Sequence, residues 1–288
     1  MHKKIFAATI AAAALAVPGL AAAQAAGPAA AAPASPHTLT GNLGLFSSYR
    51  FRGIDQTFGK PALQGGIDYS HSSGLYAGNW NSNVNSGAGF PGGNLEMDFY
   101  GGWKNTWGDF GLDLGAIYYF YPGTNAGATI PFSPFNNRPT DGRVLNGRVD
   151  NTELYIGGSW KWISLKYSHA VSDYFGAPGT RGSHYLDLSA NYDLGNGWGI
   201  NGHVGSLRFK NMIDANYTDW KIGVTKDIGG WMFGASYIAT NAKGDCNTTP
   251  TQFYCFSNGS LNFANASGVD RMKDAGRSTL VLSVMKMF

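Results

Sequence analysis

The chain has little charge. Asp, Glu, Lys and Arg make up 14% of its 288 residues, well under the roughly 25% of ordinary soluble proteins. So few ions cannot clothe a surface that is bathed everywhere in water. Cysteine is scarce, with two residues in all, which excludes a disulfide-rich scaffold and a paired Cys-x-x-Cys zinc site. Beyond residue 38 no apolar run approaches the 18 or so residues that a membrane helix needs. Apolar residues at helical spacing are also missing over any useful length. No basic run stands out, which removes nucleic acid as a partner. A Gly-x-Ser-x-Gly elbow, a phosphate-binding loop and a cluster of metal ligands are all lacking. No cofactor, metal or catalytic residue is therefore expected, and an enzyme is disfavoured.

What the chain has is glycine, 41 residues of it, and aromatics at 14%. This combination suits an all-β protein with many turns. It begins "MHKK", then "IFAATIAAAALAVPGL", then "AAAQA": a positive n-region, an apolar h-region and small residues for cleavage after Ala23 or Ala25. An uncleaved anchor is the rival reading, but the stretch is Ala-rich and interrupted by Pro18 and Gly19. Residues 1–23 are thus expected to be a signal peptide, and residues 24–38 an Ala/Pro-rich tether. Setting aside Lys3 and Lys4 reduces the 21 basic residues to 19, against 18 acidic ones. The mature protein is close to neutral.

From residue 39 to residue 288 the pattern has period two. About twelve segments of roughly ten residues show it, near 39–50, 62–70, 75–82, 94–104, 110–121, 151–161, 163–173, 184–193, 198–208, 217–227, 231–240 and 278–288. In "LEMDFYGGW", Leu95, Met97, Phe99 and Trp103 fall on one face, and Glu96, Asp98, Tyr100 and Lys104 on the other. The segment 231–240 is ambiguous, because both its faces are partly apolar. Connections alternate between short ("HSSG", "NTWGD", "LGNG", "IGG") and long, the longest at 122–150 and 241–277. A soluble sandwich has no reason to segregate loop length in this way, whereas a membrane barrel has tight periplasmic turns and long extracellular loops. In hydrocarbon a sheet spans only if it closes and leaves no unpaired edge. The expected fold is a transmembrane antiparallel up-and-down β-barrel of about twelve strands in the bacterial outer membrane, with periplasmic N- and C-termini.

Trp80, Trp103, Trp107, Trp160, Trp162, Trp198, Trp220 and Trp231 are expected in interfacial girdles. The closing segment "TLVLSVMKMF" should pair with the first strand, and its terminal Phe288 resembles the signature that the barrel-assembly machinery reads. Lys286 departs from that signature; its stem can lie on lipid while its amine reaches water. The partners expected are therefore that machinery, outer-membrane lipid and lipopolysaccharide, and small polar solutes.

"SSYRFRGIDQT", followed by "KPALQGGIDYSHSSGLYAGNWNSNV", resembles the opening of the TorF-type porin family, the Gcw_chp-like conserved bacterial outer-membrane proteins. "LKYSHAVSDYF" resembles a later segment of the same family. The resemblance runs from residue 39 to the end and is densest before residue 85. Ser48 departs from it, standing where the family pattern has Asp. The tether and the loop that carries the cysteines look like additions. What the resemblance implies is an outer-membrane barrel with a pore.

Parity assigns the lumen. On the first strand Leu43, Leu45, Tyr49 and Phe51 are expected to face outward, and Arg50 and Arg52 inward near the extracellular rim. Glu96, Asp98 and Glu153 would face them. Deeper lining candidates are Gln64, Asp68, Asn79, Lys104, Asp113, Tyr155, Lys161, Lys166, Asp187, Asn191, Asn201, His203, Asp219 and Lys221. Rings of charge select ions, but most lumen charges simply pair with one another. Arg50 and Arg52 rank first, and an ion-paired rim that stiffens the barrel is an equal alternative. Twelve strands lie between the filled eight-stranded barrel and the open sixteen-stranded one. A narrow passage is expected unless inward side chains or the loop at 122–150, with Arg138, Arg143 and Arg148, fill it. Cys246 and Cys255 are expected to pair as a staple in an exposed loop, as nearby cysteines do in an oxidising compartment. Three functions stay open: a passive channel for small polar or ionic solutes, a structural or adhesive barrel, and a barrel-embedded lipid hydrolase.

Overall fold

A computed structural model describes residues 35–90, 92–125, 148–248, 252–257 and 272–288. The expected signal peptide, most of the tether, and Arg138 and Arg143 lie outside the described residues. Twelve strands form the wall: β1 (His37–Phe46), β4 (Ala62–His71), β5 (Leu75–Asn83), β6 (Leu95–Trp107), β7 (Phe110–Phe120), β8 (Asn151–Trp160), β9 (Ile163–Ala170), β10 (His184–Gly195), β11 (Trp198–Arg208), β12 (Tyr217–Ile228), β13 (Trp231–Thr240) and β16 (Thr279–Met287). Each pairs antiparallel with its neighbours, and β16 pairs with both β13 and β1, so the sheet closes. Two short two-stranded sheets stand apart from the wall: the hairpin of β2 (Arg50–Phe51) with β3 (Ile54–Asp55), and β14 (Cys255–Ser257) with β15 (Met272–Asp274).

Closure reaches the final residue. Phe288 N–H donates to Gly41 O at 2.8 Å, and Gly41 N–H donates to Phe288 O at 3.1 Å. Every wall strand therefore has both its ladders, the condition for a sheet to meet hydrocarbon without stranded amides. The outward faces are apolar and exposed: Leu43 and Leu45 on β1, Leu154 and Ile156 on β8, Leu186 and Leu188 on β10, and Leu280 and Leu282 on β16. The alternation seen in the sequence is thus the alternation of lipid-facing and lumen-facing side chains.

The short connections all leave the end that holds His37 and Phe288. Trp107, Trp160, Trp162, Trp198 and Trp231 are exposed there, and Trp103 Nε1 donates to Ser73 O in the first of these turns. Lys286 lies outward beside them, its amine 5.5 Å from the Trp231 ring centre and 3.3 Å from Gly229 O. Trp80 is a correction to the girdle. It faces inward, with its ring 5.5 Å from Tyr49. Parity corrects Asn79 too: it stands opposite outward-facing Ile67 and Phe99. Its amide donates to Asp98 O at 3.0 Å, and Asn81 donates to Asn79 Oδ1 at 2.6 Å, so these outer-wall amides satisfy one another. Lys161 leaves the lumen as well. It is an exposed turn residue at φ 54°, 3.8 Å from Asp109.

Glycine makes the wall thin enough to be furnished from inside. Gly78 faces Tyr100, Gly102 faces Tyr76 and Gly115 faces Tyr155 across neighbouring strands. A Cβ on Gly78 would meet the Tyr100 ring at 2.5 Å, and one on Gly102 would meet the Tyr76 hydroxyl at 2.7 Å. Each tyrosine reaches over its glycine. Much of the unusual glycine count therefore sits in the wall rather than in turns.

Candidate functional site

The first strand ends sooner than its alternation. β1 stops at Phe46, and the chain turns into the barrel. Residues 47–58 form a plug in the half of the lumen nearest the long connections, built on the β2–β3 hairpin. Its two-residue turn is Arg52-Gly53, at φ 48° and φ 80°, the positive-φ pair of a type I′ turn. Gly53 fits because its α-carbon lies against the wall. A Cβ there would collide with Thr240 Cγ2 and come within 2.8 Å of Asp219 Cβ. Arg52 holds the left-handed conformation at a cost of order 1 kcal/mol, a strain that only a well-determined setting sustains.

That setting is ionic and aromatic. Arg52 makes a two-pronged contact with Glu153, Nη1 to Oε1 at 3.0 Å and Nη2 to Oε2 at 2.7 Å, and Nη1 also donates to the Tyr174 hydroxyl. The guanidinium lies 4.3 Å from the Tyr185 ring centre. Glu153 also accepts from Asn151. Arg50 ties the other side of the plug. It donates to Ala275 O, Arg277 O and Thr279 Oγ1, and lies 3.6 Å from Asp55, which Arg277 also holds at 2.7 Å. Burial lowers the Arg50 guanidinium to about 10, with Asp55 pulling the other way, so it stays charged at neutral pH.

Tyr49 and Phe51 correct the parity reading. They are buried, at 1% and 7% exposure, because the hairpin lies within the barrel and has no lipid side. Tyr49 packs on Trp80, and Phe51 on Tyr119 and Phe175. With Phe46, Val84, Phe90, Ile117, Tyr121 and Val281 they make an apolar core inside the wall. Arg50 and Arg52 are lumenal, as parity had them, but as part of the plug rather than as wall residues. The segment after β9 also folds in, with Phe175 reaching Phe51, Tyr119 and Tyr121.

Behind the plug stand wall carboxylates. Glu96, Asp98, Glu153 and Asp219 are all at most 2% exposed. Tyr121 donates to Glu96 at 2.8 Å, and Tyr185 to Asp219 at 2.8 Å. The plug's Arg52 faces them, and two wall lysines stand a step deeper: Lys221 is two residues from Asp219 on the same face of β12, and Lys166 lies within electrostatic reach of Glu153. Toward the short-turn end the lumen changes character. Lys104 lies 5.0 Å from the Tyr76 ring, and Lys166 lies 3.8 Å from the Tyr155 ring. Tyr76 donates to Asp113 at 2.6 Å and Tyr100 to Asp68 at 2.5 Å. His203 bridges Asp187 at 2.7 Å and Asp219 at 3.2 Å. Lys221 is the cross-strand neighbour of His203. Both nitrogens of His203 face carboxylates, so neither is placed to activate a nucleophile. Inward Gly66, Gly111, Gly157, Gly199, Gly223 and Gly234, each standing across a strand from a lumen-facing partner, add no side-chain bulk to this half.

Cys246 and Cys255 form a disulfide with Cα atoms 5.2 Å apart, at the start of β14. β14 pairs with β15, which leads into Ala275, whose carbonyl accepts from Asp55 N–H at 2.9 Å and from Arg50. The staple and the plug are thereby mechanically joined, a link that residue spacing alone does not carry.

Removing one member of a buried ion pair leaves its partner charged and dry, which costs about 3–5 kcal/mol. Arg52→Ala is expected to lower stability by about that much, read from urea unfolding in micelles, while Lys161→Ala in its exposed turn changes it by less than about 0.5 kcal/mol. Equal effects would remove Arg52 from the plug.

A family model described as "Bacterial protein of unknown function (Gcw_chp)" matches residues 30–268. No curated protein matches the chain. Among solved structures, the KdgM porin superposes at TM-score 0.47 with 6% identity, covering 87% of this chain and 97% of that one. The NanC porin gives 0.45 and 10%, covering 87% and 98%. OmpT, an outer membrane protein of Vibrio cholerae, gives 0.40 and 11%, covering 88% and 97%. These are likenesses of general barrel shape.

Proposed function

We propose, on the premise that the chain belongs to the Gcw_chp family of bacterial proteins, that it is an outer-membrane channel of narrow bore. Small polar or ionic solutes pass its lumen when the plug at 47–58 shifts. The TorF-type label read from "SSYRFRGIDQT" and export by the leader belong to the same proposal. The observation that carries it is a short hairpin, held by side-chain contacts and a few backbone hydrogen bonds to neighbouring loops, across a closed barrel whose other half is lined by glycine and polar groups. A barrel that served only as a wall would need no lumen of that kind. An apolar band outside and charged groups inside are what a water-bearing passage through lipid requires.

Planar-bilayer recording on refolded protein tests it. Brief, small openings are expected, more frequent in Arg52→Ala than in the parent. Electrical silence at every voltage in both would favour the structural or adhesive barrel.

A further inference from the structure

Among the described residues, the outer wall carries a cluster of basic side chains that the channel does not use. On three consecutive strands, His169, His184 and Arg208 stand in direct register at the ends of β9, β10 and β11. All three share the outward parity of Leu186 and Leu188. Residues directly opposite across a ladder have Cβ atoms about 5 Å apart, so these side chains form one row. Lys210 joins it from the following loop. A Cβ on Gly182 would meet Lys210 Cδ at 3.3 Å, Lys210 Nζ at 3.6 Å and His169 Cε1 at 3.9 Å. The ammonium and the imidazole thus converge over Gly182. His184 Nδ1 lies 3.4 Å from Gly182 O, and His169 Nδ1 lies 3.1 Å from the Tyr167 hydroxyl. Neither Arg208 nor Lys210 has an acidic partner among the described residues. The nearby Asp173 is occupied by the backbone N–H groups of Thr180 and Arg181.

Height decides what this row meets. Directly beneath it lie exposed Tyr167 and Leu186, then Leu165, Leu188 and Val204 in register. The basic side chains therefore sit where the apolar belt ends, on the rim of the long connections. Anything they bind has its charge at the headgroup level and its apolar part against the belt.

We infer that His169, His184, Arg208 and Lys210 form a binding site for the phosphate monoester of a phosphorylated glycolipid in the leaflet at that rim. Arginine and lysine together suit a dianion, and the imidazoles add N–H donors. A phosphodiester headgroup carries only one charge and matches the cluster less well. The site rests on the barrel lying in lipid, and is independent of whether the lumen conducts.

The test uses the full barrel refolded in detergent, with diphosphorylated lipid A as the probe and lipid adducts counted by native mass spectrometry. The R208A/K210A double variant is expected to need about tenfold more lipid A for equal occupancy, the effect of losing one or two charge-assisted hydrogen bonds. Lys210→Gln alone, in a loop outside the wall, should weaken binding in the same direction and keeps the test open if the double variant misfolds. The same glycolipid stripped of its phosphates, and phosphatidylglycerol, should bind the parent weakly. Equal binding by the variants, by the stripped glycolipid or by phosphatidylglycerol would overturn the assignment. Displacement of lipid A by inorganic phosphate at matched concentration would also overturn it, in favour of free phosphate. A parent that shows no change in gel mobility on boiling would indict the barrel reading instead.

Discussion

Replacing residues 48–60 with a short Gly/Ser linker is expected to convert brief openings into a large, steady, cation-selective conductance. The plug brings Arg50 and Arg52 into the lumen along with its own Asp55. Without it, Glu96, Asp98, Glu153 and Asp219 line the vacated half with neither Arg50 nor Arg52 before them. The deletion differs in kind from Arg52→Ala. In the point variant the hairpin remains, and whenever it is seated Glu153 is left dry and unpaired. In the deletion the carboxylates are hydrated, so the wall tolerates the loss. Carboxylate rings favour cations. Reversal-potential measurements across a salt gradient should therefore shift toward cation permeability, with a current several-fold above the parent's. Conductance unchanged by the deletion would place the passage elsewhere, or nowhere.

Deleting residues 279–288 is expected to abolish the folded barrel outright. β16 is the only described strand that pairs with both β1 and β13. Its loss leaves two open edges, and each unpaired backbone group in hydrocarbon costs several kcal/mol. No rearrangement of eleven strands restores the register, since β1 and β13 both run antiparallel to β16 and so parallel to each other. Removing Phe288 alone is a milder change, deleting one backbone pair with Gly41. In micelles the ten-residue deletion should show no difference in gel mobility before and after boiling, whereas the Phe288 deletion should keep the difference. Retained mobility after loss of the whole strand would refute closure by β16.

The wall was readable in the sequence because its rule is local. A period of two is written within each strand, and loop lengths alternate along the chain. Predicted segments such as 75–82 and 217–227 correspond to Leu75–Asn83 and Tyr217–Ile228. The plug was hidden by the same rule. "YRFRGID" continues the alternation of β1 beyond Phe46, and a hairpin folded inside a barrel has the same period as a strand that spans it. Only Gly53, following a positive-φ arginine, marks the turn. Asn79 and Trp80 were exchanged for a related reason. Polar-in and apolar-out fails where the lumen contains an apolar plug, because Trp80 then finds its partner inside. The lipid-facing amides of Asn79 and Asn81 are admissible since each bonds within the wall. Lys161 was assigned to a strand because the joint at Trp162 is so short that the turn has no composition of its own. The contact between Arg52 and Glu153 spans a hundred residues and has no local trace at all.

The most direct check on the whole account is a cysteine scan of β10, with the native pair Cys246 and Cys255 first changed to serine. Leu186, Asp187, Leu188 and Ser189 would each carry an environment-sensitive fluorophore in lipid vesicles. Brominated acyl chains should quench the probes at 186 and 188, while a water-soluble quencher reaches those at 187 and 189. Quenching that ignores this two-residue rhythm, or water access at all four positions, would contradict a closed wall with lipid on one side and a lumen on the other.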